Sequence, residues 1–162
     1  MPAMPQRLER LERPAVVVRA PAPTRAVVIA EGPAWQAFQL LHWAFVVLPL
    51  TAGADKFFDV LGPWRDYLAP AIPDLLGMSA QRIMYTVGVV EILAGLLVAF
   101  APRLGGWLVA GWLWLVAANL MLMPGFVDVA LRDAALSLGA LALARLAVQY
   151  QDAVEPPRAR PQ

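Results

Sequence analysis

Five ionisable residues and one imidazole lie within or at the edge of apolar runs, where each is expensive. Glu91 falls near the middle of IMYTVGVVEILAGLLVAF (residues 83–100). A charge at that depth in a bilayer costs about 2.5–3.5 kcal/mol on insertion scales, so Glu91 must be either protonated or paired. Gly88 and Gly95 share its helical face, three and four residues away. Small residues there let a second helix approach closely enough to bring a donor and to exclude lipid. The run LLHWAFVVLPLTAGADKFF (40–58) ends on Asp55 and Lys56, and VDVALRDAALSLGALALARLA (127–147) carries Arg132 and Asp133 more than one turn inside it.

Depth along antiparallel helices decides which of these charges can meet. With a rise of 1.5 Å per residue, Glu91 lies about 13 Å below Arg82. Lys56 reaching down and Arg132 reaching across can both approach it, with Asp55 and Asp133 balancing the remaining positive charge. One buried polar cluster of Asp55, Lys56, Glu91, Arg132 and Asp133 is expected. Neighbours on a helix point about 100° apart, so Arg132 and Asp133 are each expected to find a different partner. Alternatives stay open: Lys56 snorkelling to the headgroups, Arg132-Asp133 marking a late helix start, and Glu91 serving only as glue between helices.

His42 lies in the inner third of its run, on the face of Pro49 and Lys56. A lone imidazole there either bonds a backbone carbonyl of a neighbouring helix, the commoner role, or touches a quinone, a pigment magnesium or a haem iron. Asn119 reads as interhelical glue.

The elements that must position these residues are helices. The chain is 60% hydrophobic and 15% charged, against about 45–50% and 25% in ordinary globular domains. Its mean hydropathy is +0.60. Apolar runs at about 35–56, 83–101, 104–123 and 127–148 each approach the ~20 residues that cross a bilayer. Short links at 101–103 and 124–128 make them antiparallel neighbours. Trp35, Trp43, Trp107, Trp112 and Trp114 suit interfacial belts or helix contacts. Residues 58–82 alternate apolar side chains with charges, prolines and glycines, which reads as amphipathic pieces lying at the interface. The expected fold is thus an all-α, polytopic membrane protein. It comprises a transmembrane domain of four helices over 34–148, the interfacial segment between spans one and two, and two tails.

The tail at 1–33 holds six prolines and five spaced arginines, which favours an extended or disordered segment; its valine runs could add as strands to a partner. No long apolar run occurs before about Trp35, so a secretory signal is not expected. Counting arginines and lysines places nine with the termini (Arg7, Arg10, Arg13, Arg19, Arg25, Arg103, Arg145, Arg158, Arg160) and four opposite (Lys56, Arg65, Arg82, Arg132). Both termini, including the tail at 149–162, are therefore expected in the cytoplasm. The net charge of +1 and the absence of an aromatic-interleaved basic patch argue against nucleic-acid binding. Without cysteine and with one histidine, the chain has no thiolate ligands and no bis-histidine haem site of its own, and no metal site is expected. Any redox cofactor would be held by a partner.

The pieces GADKFFDV, GVVEILAGLLVAF, the Pro-Arg link and ALRDAALSLGALALA, in that order over about 40–147, resemble the DoxX-like family of small four-span bacterial membrane proteins. The resemblance implies a cytoplasmic (inner) membrane location, and makes Lys56, Glu91, Arg132 and Asp133 the family's polar positions. Some members of that family are subunits of a thiosulfate:quinone oxidoreductase, and others accompany redox or stress-response assemblies. Lack of cysteine speaks against a sulfur relay in this chain.

Three functions follow as expectations. The first is a non-catalytic accessory subunit of a larger membrane redox or energy-conversion complex, electron-transfer or photosynthetic. It would contact other membrane subunits and lipid, with the N-terminal tail clasping a partner. The second is a subunit of a quinone-linked oxidoreductase that uses the Glu/Lys/Arg/Asp cluster for a quinone or small anion. A small transporter is the third, disfavoured because no pair of broken half-helices is visible.

Overall fold

The computed structural model describes residues 32–154, with side chains through Tyr150. The 1–33 tail lies outside this range except for its last two residues, as do residues 155–162. Among the described residues every regular element is helical: α1 (Pro33–Asp55), a 3-10 turn (Trp64–Tyr67), α2 (Ala71–Leu76), α3 (Ala80–Phe100), α4 (Pro102–Met121) and α5 (Val127–Val154). Helices α1, α3 and α4, of 23, 21 and 20 residues, are long and apolar enough to cross a membrane. Large apolar side chains such as Leu40, Trp43, Leu93, Leu104 and Leu115 stay exposed on the outside of the bundle. That is the surface expected of helices whose solvent is hydrocarbon.

Chain punctuation sets the helix ends. Pro33 and Pro102 occupy first-turn positions of α1 and α4, where the missing N–H is no loss. α2 stops at Gly77, whose φ of 61° is the left-handed conformation that closes a helix. The last helix runs past the expected boundary at 148. Its extension carries Tyr150, buried against Trp35 (ring centroids 4.9 Å) and Phe38 (5.2 Å), so aromatic packing near the start of α1 holds this turn.

The core is divided. At the end where the described chain begins and finishes, Phe38, Phe45, Val98, Val109, Leu143 and Tyr150 form one cluster joining all four long helices. At the opposite end there are two smaller clusters. Leu68, Ile83 and Met84 fasten the 57–79 segment to α3. Ala117, Leu120 and Ala130 join α4 to α5, with Tyr67 and Phe126 alongside. Between these two clusters the bundle is hollow. The 57–79 segment covers the hollow with Trp64, Leu68 and Ile72, while Phe58, Val60, Leu61 and Leu75 stay exposed on its other side. These exposed apolar residues alternate with the exposed charges Asp59, Arg65, Asp66 and Asp74, the mixture of a segment lying at a membrane interface.

Candidate functional site

α1 and α3 cross unusually closely at one point. A Cβ on Gly53 would lie 2.7 Å from the Gly88 carbonyl oxygen, and one on Gly88 would lie 2.7 Å from the Gly53 oxygen. Only glycine at both positions allows this approach. The contact places Lys56, one turn beyond Gly53, beside Glu91, one turn beyond Gly88. Lys56 Nζ donates to Glu91 Oε2 at 2.6 Å, with the two side chains 5% and 14% exposed. The ammonium also lies 3.9 Å from the centroid of the Trp64 ring. A longer contact of 3.5 Å runs to the Ala52 carbonyl. Lys56 therefore points into the bundle rather than up to the headgroups.

Asp55 turns the other way. Its carboxylate accepts from Val60 N at 3.0 Å, Leu61 N at 2.8 Å and Trp64 Nε1 at 2.7 Å. These bonds fold the chain back after α1 and set the indole over Lys56. Adjacent residues thus divide the work: Lys56 neutralises the interior, and Asp55 shapes the cover.

Asn119 makes the second fastening. Its Oδ1 accepts from Ala69 N at 2.9 Å, and its Nδ2 donates to the Tyr67 carbonyl at 2.6 Å. The amide therefore clamps α4 to the backbone of the covering segment, whereas a side chain on another long helix was the expected partner. Backbone leaving a 3-10 turn offers both a free donor and a free acceptor in one register, which a helix wall does not.

Beneath this cover lies a cavity of about 640 Å³, bounded by α3, α4, α5 and the 57–79 segment. Its walls are mostly apolar; Lys56, Asn119, Arg132 and Asp133 supply polar groups. Along α4 its lining runs from Trp112 to Leu120, eight residues or about 12 Å. The indole nitrogen of Trp112 is buried without a hydrogen-bond partner among the described residues. Size and lining match those of small-molecule sites, where apolar walls carry a few orienting polar groups.

Arg132 and Asp133 pair with each other, contrary to the expectation of separate partners: Arg132 Nε lies 3.6 Å from Asp133 Oδ1. The long arginine stem bends across the 100° between neighbouring positions, which a reading by Cβ direction alone misses. Among the described residues neither makes an ion pair with Glu91. The five charges therefore occupy three settings: the closed Lys56–Glu91 pair, the Asp55 turn, and the Arg132–Asp133 pair at the cavity edge.

His42 stands apart from the cavity. Its Nε2 donates to the Val98 carbonyl at 3.1 Å. In an unbroken helix that oxygen would accept from the N–H of residue 102, but Pro102 has none. The imidazole takes over as a cap for the end of α3.

No family model, curated protein or solved structure matches this chain.

Proposed function

We propose that the chain is a four-span, non-catalytic subunit of a membrane redox assembly in the bacterial cytoplasmic membrane, with both termini on the cytoplasmic side, and that it seats a bilayer-borne small molecule in its cavity. The observation that carries this reading is the hollow between the two smaller core clusters. Apolar walls with polar groups at one end suit a molecule that lives in lipid. The polar end lies under an interfacial segment held by Asp55 and Asn119.

The non-catalytic assignment is supported by how the charges are used. Lys56 and Glu91 satisfy each other, and Asp55 is consumed by backbone amides. α5, with 28 residues, is long enough to be a fourth span, its charges falling toward its two ends (Asp128, Arg132 and Asp133; Arg145 and Asp152).

The quinone-linked reading draws support from Lys56, Arg132 and Asp133 reaching the same cavity. It differs in requiring turnover to depend on them.

Gentle extraction of the native membrane tests the assembly. The chain should migrate in a complex well above its own mass, carrying a lipid-phase molecule that organic solvent releases. A monodisperse monomer with nothing bound refutes the proposal.

A further inference from the structure

The charges at the cavity differ in how tightly they are paired. Lys56 and Arg132 contribute two cations to its walls and Asp133 one anion, while Glu91 lies behind Lys56, outside the wall. Lys56 spends its charge on Glu91. The Arg132 side chain is 68% exposed, and its one ionic contact, with Asp133, is longer than a hydrogen bond. It donates no hydrogen bond among the described residues. Val127, Leu131 and Leu122 nearby are exposed and apolar, and the exposed Asp128 stands one helical turn before it.

The cavity also meets that surface. Leu115, Ala118 and Leu122 belong both to the exposed face of α4 and to the cavity wall. The opening is therefore on the side of the bundle, where lipid chains lie.

We infer that the cavity is a side-entry site for an anionic amphiphile, its carboxylate or phosphate oxygens on the Arg132 guanidinium and its hydrocarbon chain inserted past Leu115 and Ala118. The inference rests on the cavity being a site for a bilayer molecule, and it names that molecule's class. A guanidinium offers a planar fork of donors that matches two oxygens of a carboxylate or phosphate. A neutral occupant would leave this guanidinium with the loose 3.6 Å contact to Asp133 and the neighbouring Asp128, neither of which fills its donor fork.

The test uses the full chain in phosphatidylcholine nanodiscs, in three arms: added phosphatidylglycerol, added oleate, and added menadione as a neutral probe. Retained molecules are counted by native mass spectrometry after release. Wild-type protein should retain one anionic molecule per chain; the first two arms tell a phospholipid from a free fatty acid. Arg132→Gln should weaken retention by about tenfold or more, the loss of a charge-assisted hydrogen bond, with Arg132→Lys in between. Ala118→Trp, which keeps the cation and blocks the mouth, should also abolish retention, and an unchanged unfolding midpoint in each variant separates loss of the site from loss of the fold. Equal retention by wild type and Arg132→Gln overturns the inference. Retention of menadione in place of the anions, indifferent to Arg132, overturns it while leaving the cavity reading intact. If wild type retains no probe in any arm, both readings fall.

Discussion

Removing Glu91 should expose what the Lys56–Glu91 pair contributes. The pair is separated by 2.6 Å. At an effective dielectric of about 20, Coulomb attraction over that distance is about 6 kcal/mol, offset by several kcal/mol of desolvation for each ion. In Glu91→Leu, Lys56 keeps the Trp64 ring, worth at most about 2 kcal/mol, and a long contact to Ala52 O. The ammonium stays buried without a counter-charge, a loss of about 3–5 kcal/mol. Lys56→Met should be similarly destabilising because it strands Glu91. The double variant Lys56→Met/Glu91→Leu should recover most of the loss, since well-packed apolar replacements of a buried pair are often neutral or better. Denaturant unfolding in mixed micelles, followed by tryptophan fluorescence, measures all four corners of the cycle. With each single variant losing about 3–5 kcal/mol and the double close to wild type, a favourable coupling of about 5 kcal/mol or more is expected. Single variants within about 1 kcal/mol of wild type, or a double variant as unstable as the sum of its parents, would show that the pair does not act as a buried unit.

Three other perturbations test the framework around it. Gly88→Ala should lose about 1–3 kcal/mol in the same unfolding assay, because its methyl would meet the Gly53 carbonyl at 2.7 Å; an unchanged midpoint would mean that the helices separate freely. Asn119→Ala strands the Ala69 amide and the Tyr67 carbonyl. Amide hydrogen exchange should speed up over 64–76, with about 1–3 kcal/mol lost locally and the α1–α3 crossing unaffected. His42→Phe keeps a ring but frees the Val98 carbonyl. It should lower the unfolding free energy by about 1–2 kcal/mol and leave the absorbance spectrum of the copurified complex unchanged; an altered spectrum would give His42 a cofactor.

The structure left to the sequence those features that depend on local chemistry or on transfer energy. Long apolar runs interrupted by Pro and Gly fall within a few residues of α1, α3 and α4, because a backbone in lipid must satisfy its hydrogen bonds internally and helices do so locally. The demand that Glu91 have a partner, and that Gly88 lie on the face where a helix comes close, follows from the energy of a carboxylate in hydrocarbon. His42 belongs here too, since Pro102 visibly leaves a carbonyl of α3 without its helical donor.

Which partner meets which charge was a tertiary outcome. Lys56 and Arg132 were both within reach of Glu91 by depth, and the Gly53–Gly88 crossing selects Lys56 by bringing α1 rather than α5 alongside. Arg132 folds onto its neighbour because side-chain length outweighs Cβ direction. Asp55 and Asn119 bind backbone in a segment broken into irregular chain, one 3-10 turn and one six-residue helix, pieces too short to carry a periodicity. The cavity is the extreme case. It belongs to no residue and arises where two core clusters fail to merge, a property of how helices diverge in space that no stretch of chain encodes alone.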